Sequence, residues 1–171
     1  MDYFALFDLP RSFAIDSQNL ESRFHDLQSK VHPDKHAHLG DSEKRRAMEQ
    51  ATEANAAYQT LRHSLPRALY LLRLAGHDVK VENNAAMPAD FLVEQLELRE
   101  AVGDARDNRE ESTLDKLRAD IKVRMSAQYA SLGAMIDASK DYASAADMVR
   151  RLMFQEKLLQ EIDDALEAIE A

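Results

Sequence analysis

Apolar residues recur every three or four positions along most of this chain, and this helical spacing restricts its fold more than any other feature. The clearest early stripe consists of Leu20, Phe24, Leu27 and Val31. Gly and Pro occur only four times each in 171 residues, whereas a β-sandwich or barrel needs many more turn residues. The pattern therefore predicts an all-α protein.

The first half of the chain has the helix-end signals of a helical hairpin. Asp2 is placed to cap a short first helix and Asp16 a longer second helix. Pro33 ends the second helix, because the residue before a proline avoids the α region. A third helix capped by Asp41 or Ser42 follows a polar loop. Two helices joined by a short loop are expected to pack antiparallel.

The second half has the pattern of a separate helical bundle. Pro66 and Gly76 suit the first turn and the C-terminal end of a fourth helix. After Pro88, three amphipathic segments with short connections predict a three-helix bundle, with a turn or kink at Gly103 and Asp104. The predicted domains are residues 1–75, a linker at 76–87 and the bundle at 88–171.

Charge separates the same two halves. The net charge is −9. Residues 1–75 contain equal numbers of acidic and basic side chains, so residues 76–171 hold the whole excess. An acidic half argues against nucleic-acid binding, which requires a basic surface. The chain has no Cys, which excludes disulfides, thiolate metal sites and direct thiolate ligation of an iron–sulfur cluster.

Other classes of function are also disfavoured by the sequence. No Gly-rich phosphate loop or nucleophile elbow is present, so we expect no enzyme and no cofactor. His32, His36 and His38 lie close together, but no fourth ligand completes a metal site. No apolar run approaches membrane-spanning length, and residues 1–4 do not resemble a signal peptide. We therefore predict a cytoplasmic protein without a metal or membrane partner.

The most informative segment is the tripeptide His32-Pro33-Asp34. Alone it could be a proline helix stop in which the Asp satisfies backbone donors. Here it lies between two amphipathic helices and follows a short aromatic helix. In this arrangement, residues 1–75 resemble a J domain. The resemblance implies that the second helix and this turn dock on a DnaK-type ATPase and promote ATP hydrolysis.

Each residue of the tripeptide suggests a physical role in such docking. Pro33 fixes the turn. Asp34 presents a carboxylate that can compete for an Arg-centred network in the partner. For His32 two roles are open, since it could orient the turn or make a polar contact itself.

Basic residues of the second helix provide a further candidate surface. Arg23 and Lys30 are seven residues apart and therefore share one helix face, and Lys35 extends that face. Such a patch suits an acidic partner surface. Without the tripeptide, a solvated face with local ion pairs would be the better interpretation.

Three further segments resemble one particular family of J proteins, the HscB co-chaperones. They are the opening residues 2–10, the stretch 90–100 and the stretch 149–154. A general DnaJ would instead continue with Gly-rich or zinc-binding segments. The resemblance implies that the J domain and the bundle are joined in an L-like arrangement.

The HscB resemblance also implies partners. They are the iron–sulfur scaffold protein IscU, bound by the bundle, and the specialised DnaK-like ATPase HscA, bound by the J domain of a monomer. The residues that match the family's scaffold-binding patch are Leu92, Val93, Leu96 and Phe154, rimmed by Glu97, Arg99 and Glu100. Periodicity alone would favour bundle core for the apolar members, and it is the family match that favours a binding patch. A J protein for another client and a passive helical adaptor are the alternatives.

Overall fold

The computed structural model describes residues 2–79 and 87–171, and it confirms the all-α prediction. None of the residues in these ranges forms a β-strand, and none of their helices is long and apolar enough to cross a membrane. The helices are α1 (Tyr3–Leu6), α2 (Ser17–Val31), a short 3₁₀ helix (Pro33–His36), α3 (Asp41–Arg62), α4 (Ser64–Leu74), α5 (Ala89–Asp107), α6 (Glu111–Gly133), a π-helical turn (Ala134–Ala138) and α7 (Tyr142–Glu170).

The chain divides into two compact units, Met1–Leu71 and Leu72–Ala171. The division falls within α4, a few residues before the predicted end of the J domain. Most of the predicted linker, residues 80–86, lies outside the described residues. The linker, the L-like arrangement, the monomeric state and the cytoplasmic location remain predictions.

Unit 1 is built on the pair of α2 and α3. Phe24 of α2 stacks on Tyr58 of α3 with ring centroids 4.2 Å apart. The face of α3 beside this contact buries the small side chains of Ala47, Ala54 and Ala57. Small residues let two helices approach closely, so an aromatic pair and an alanine face together hold the hairpin that carries the turn.

Short elements at both ends of unit 1 close its core. Tyr3 of α1 stacks on Tyr70 of α4 at 4.7 Å, and the Tyr3 backbone N–H donates to the Tyr70 hydroxyl at 2.9 Å. Arg67 is buried, and it donates to the carbonyls of Phe13 (2.7 Å) and Leu61 (2.8 Å). Carbonyls in the last turn of a helix lack intrahelical partners. Arg67 therefore satisfies the end of α3 while it holds the connection between α1 and α2.

The predicted caps at the first two helices are confirmed. The Asp2 carboxylate accepts the Ala5 N–H at 2.8 Å, and Asp16 accepts two N–H groups at the start of α2. Asp2 also pairs with Arg11. The hydrogen bond from the Arg11 guanidinium, followed by the backbone hydrogen bond from Ala5, holds the pKa of Asp2 below its ordinary value.

Unit 2 contains the bundle of α5, α6 and α7. Its core is closed to solvent by large side chains from all three helices, which include Phe91, Leu114, Leu132, Leu152, Leu158 and Ile162. Ion pairs join the helices at the surface. Arg118 of α6 lies 2.8 Å from Asp163 of α7. The three-helix bundle is therefore formed as the apolar stripes indicate.

Two local predictions are wrong. Residues Gly103 and Asp104 mark no turn, because α5 continues through them to Asp107. The buried Val102 and Ala105 on either side hold this part of the helix against the core, and that burial outweighs the low helix propensity of glycine. The N-cap of α3 is Gly40 rather than Asp41 or Ser42, both of which belong to the helix.

Candidate functional site

The turn after α2 is held by its own histidine. The backbone of His32 is extended (φ −61°, ψ 133°), so α2 ends before Pro33 and the 3₁₀ helix begins. The imidazole Nδ1 of His32 accepts the backbone N–H of Asp34 at 3.2 Å. The His32 carbonyl accepts the N–H of Lys35 at 3.0 Å. His32 is thus the capping residue of the turn, and this contact requires an imidazole with an unprotonated Nδ1.

The carboxylate of Asp34 is directed to solvent. Its side chain is 92% exposed, and its Oδ2 atom lies 3.6 Å from Nδ1 of His32. Nearby, the Lys35 ammonium donates to the Ser29 hydroxyl at 3.3 Å. The turn therefore presents an accessible anion beside a cation that one hydrogen bond connects to α2.

Arg23 lies on α2, nine residues before His32, and its side chain is 42% exposed. Its Nη1 atom is 3.2 Å from Oδ2 of Asp8, and its Nε donates to the Asn19 side chain at 3.4 Å. Lys30 is also exposed on α2. These residues and the turn are called the turn surface below, which comprises Arg23, Lys30, His32, Pro33, Asp34 and Lys35.

A second candidate surface lies on the bundle. Val93 is 54% exposed and Leu96 is 59% exposed, which makes them two of the few large apolar side chains of the described residues that face solvent. Leu92 is half-buried beside them. The alternative that these positions are all bundle core is therefore wrong for Val93 and Leu96. The helix has a buried face and a separate apolar face directed outward.

Phe154 brings α7 into the same region. Its ring meets the ring of Phe91 edge to face, with centroids 5.8 Å apart. Phe91 itself is buried, and the guanidinium of Arg151 lies over it at 4.9 Å. Phe154 is half-buried. Because the Phe154 ring packs against the buried Phe91 ring, we expect Phe154 to be a rigid part of this surface.

Charged residues surround the apolar side chains. Glu97 and Glu100 are exposed, and they lie four and seven residues after Val93, on the same side of the helix. Arg99 is turned toward α7, where its Nε lies 3.4 Å from the Glu161 carboxylate. The accessible rim is therefore acidic. The bundle patch denotes Leu92, Val93, Leu96, Glu97, Arg99, Glu100 and Phe154.

Sequence reasoning missed a polar layer beneath the patch. Gln95 and Gln155 are buried. Gln155 donates to the side-chain oxygen of Gln128 at 2.7 Å, whereas both amide atoms of Gln95 lack a hydrogen-bond partner among the described residues. The sequence signal for the burial of Gln95 is its spacing, because it follows Phe91 by four residues and therefore shares the core face of α5.

No metal centre is formed by the described side chains. Within the part of the chain that the structure describes, no group of three His, Asp or Glu side chains is arranged to hold an ion. The two surfaces consist instead of an exposed anion with cations and of an apolar patch with an acidic rim.

Comparison with known proteins identifies relatives over nearly the whole chain. Residues 87–163 match the family described as the HSCB C-terminal oligomerisation domain. A curated co-chaperone protein HscB homolog from Azoarcus sp. (strain BH72) is 50% identical, over 99% of this chain and 96% of that protein. The solved structure of chaperone HscB from Vibrio cholerae is 34% identical, with a TM-score of 0.89 over 99% of both chains. Human co-chaperone HscB superimposes equally well (TM-score 0.89, 27% identity, 95% of this chain and 81% of the human one).

Proposed function

Because this chain belongs to the HscB family of co-chaperones, we propose that it binds the iron–sulfur scaffold IscU and delivers it to the DnaK-like ATPase HscA. In this proposal it stimulates ATP hydrolysis by HscA and so promotes transfer of the cluster. One observation carries the proposal: a single chain has both an exposed turn carboxylate at Asp34 and an exposed apolar patch at Val93 and Leu96.

The turn surface is proposed to engage the ATPase. The Asp34 carboxylate is exposed, so it can form charge-assisted hydrogen bonds with arginines of the partner. The His32 cap orients the backbone from which that carboxylate extends. Arg23, Lys30 and Lys35 add positive charge along one side, which speeds encounter with an acidic surface and fixes its orientation.

The bundle patch is proposed to hold the client. An apolar centre with a polar rim is the usual anatomy of a protein–protein interface, and exposed apolar patches mark such sites. Val93 and Leu96 form the centre. Glu97 and Glu100 form the rim, and Asp104, seven residues after Glu97 and also exposed, extends it. The complementary client surface is then apolar with a basic edge.

Joining the two surfaces in one chain explains the action of the protein. A client attached to the bundle is brought to the ATPase at a high effective concentration, without any new contact between client and chaperone. The stimulated hydrolysis then closes the chaperone on the client. Since this chain has no Cys, thiolate ligands for the cluster must come from the client or the acceptor.

Single-turnover ATP hydrolysis by HscA tests the proposal. We expect the wild type to accelerate hydrolysis, IscU to add a further increase, and Asp34→Asn to abolish the acceleration. The matched control is Glu49→Gln, which neutralises one exposed carboxylate on α3 and should behave as the wild type. Acceleration without any contribution from IscU would mean a J protein for another client. No acceleration by the wild type would leave a passive helical adaptor.

A further inference from the structure

Asp8 has an unusual backbone conformation for a residue with a side chain. Its φ angle is +52°, in the left-handed region that glycine adopts without cost. It follows the C-cap of α1, and its N–H donates to the Ala5 carbonyl at 3.1 Å. Asp and Asn tolerate this region better than other side chains. At a position where glycine would relieve the backbone, this chain has a carboxylate.

That carboxylate is directed at the turn surface. Oδ2 of Asp8 lies 3.2 Å from Nη1 of Arg23, and the Asn19 side-chain oxygen accepts from Nε of the same guanidinium at 3.4 Å. A guanidinium offers its donors in a fixed planar fork. Two positions of the fork are therefore occupied by oxygens of the protein itself.

The Asp8 carboxylate caps neither of the two neighbouring helices. The cap of α1 is Asp2, the cap of α2 is Asp16, and the Asp8 side chain is 91% exposed. An exposed ion pair contributes little to stability. The effect of this pair must therefore be sought in what Arg23 can bind.

We infer that Asp8 is a positioning residue that restrains Arg23 and weakens docking of the turn surface on the partner ATPase. The inference rests on the proposed function. An acidic partner that approaches Arg23 must replace Asp8 at the guanidinium. The competition is mild because the pair is exposed to solvent, so Asp8 sets the strength of docking without blocking it.

Two substitutions of Asp8 separate the effect of its charge from the effect of its backbone conformation. Asp8→Asn removes the charge and keeps a residue that tolerates the left-handed backbone. Asp8→Gly removes the charge and relieves the backbone as well. The two variants should agree if the charge is responsible. A difference between them would assign the effect to the backbone and overturn the inference.

The experiment titrates the full chain against HscA and records the concentration for half-maximal stimulation separately from the maximal rate. We expect Asp8→Asn to lower the half-maximal concentration about two- to fivefold, the range for an exposed pair, with no change in the maximal rate. In an Arg23→Gln background the same substitution should have no effect. The gain should also shrink as salt is raised, because screening weakens exposed charges.

Glu49→Gln is the control for net charge. It removes one negative charge from an exposed residue of α3 that does not belong to the turn surface. A half-maximal concentration unchanged by Asp8→Asn would overturn the inference, as would an equal gain from Glu49→Gln or a gain that persists with Arg23→Gln. In each of these cases the wild type still stimulates HscA, and the proposed function stands. Failure of the wild type itself would overturn both.

Discussion

The turn surface and the bundle patch are built in opposite ways. On the turn surface, polar groups already have partners within the chain: His32 accepts the Asp34 N–H, and Arg23 pairs with Asp8. On the bundle patch, Val93 and Leu96 are exposed to solvent. Binding at the first surface exchanges one set of polar contacts for another, whereas binding at the second removes apolar area from water. Charge should therefore govern ATPase docking, and buried area should govern client binding.

The largest expected effect separates the two surfaces completely. Asp34→Asn keeps the size of the side chain and removes its charge, so it should reduce stimulation of HscA to the unstimulated rate. Client binding should be unchanged, because the residue lies in unit 1 and the patch in unit 2. Single-turnover hydrolysis and calorimetric titration with IscU measure the two properties on the same preparation. Loss of both would mean that the surfaces are not independent.

The next effect tests the role of apolar area. Leu96→Ala removes an apolar side chain that is 59% exposed, and covering such a side chain contributes about 1–2 kcal/mol. We expect IscU to bind about 5- to 30-fold more weakly, with little dependence on salt. Val123→Ala is the matched control, since Val123 is 73% exposed on α6 outside the patch. Equal losses from both variants would contradict a defined patch.

A smaller effect concerns the cap of the turn. His32→Asn retains a side-chain acceptor at the cap, whereas His32→Ala removes it, and a lost cap costs about 1 kcal/mol. If capping is the main role of His32, Asn should retain more HscA stimulation than Ala. If a contact of the imidazole with the ATPase is the main role instead, the two variants should be equally impaired. Stimulation assays with both variants decide between the two roles left open by the sequence.

The smallest expected effect is on the stability of unit 1 and concerns Asp2, which belongs to neither surface. The pKa of Asp2 is lowered by Arg11 and the Ala5 N–H, so its ionised form stabilises the fold. That contribution is complete above the ordinary pKa of about 3.9 and is lost as pH falls through the lowered value. Asp2→Asn should reduce the free energy of unfolding by about 0.5–1 kcal/mol at neutral pH. The difference should disappear as the pH falls through the lowered pKa of Asp2, as followed by urea denaturation; a constant difference would contradict it.

Much of the fold could be predicted because local signals and burial agree. Asp2 and Asp16 cap their helices as predicted, and Gly76 adopts φ +88° just after α4. The turn predicted at Gly103 was wrong because its neighbours Val102 and Ala105 are buried in the bundle core, and this burial keeps the segment helical. A single residue's propensity is a weak guide where tertiary burial is strong.

The candidate site could be predicted only in part. His32, Pro33 and Asp34 are adjacent in sequence, so their turn could be located without coordinates. The exposure of Val93 and Leu96 could not, because an apolar residue beside a core stripe has the same spacing whether a neighbouring helix covers it or not. The pairing of Asp8 with Arg23 joins residues 15 apart. It depends on a left-handed backbone that no local pattern indicates.

The contact between Tyr3 and Tyr70 joins the first helix of unit 1 to its last, 67 residues later. On a ribosome that adds about 5–20 residues per second, α1 therefore waits roughly 3–13 seconds for its aromatic partner to be made. During that interval the buried side chain of Phe4 has no completed core to enter. The order of synthesis thus makes α4 the element that completes unit 1, so a nascent chain that ends before Tyr70 should remain sensitive to protease.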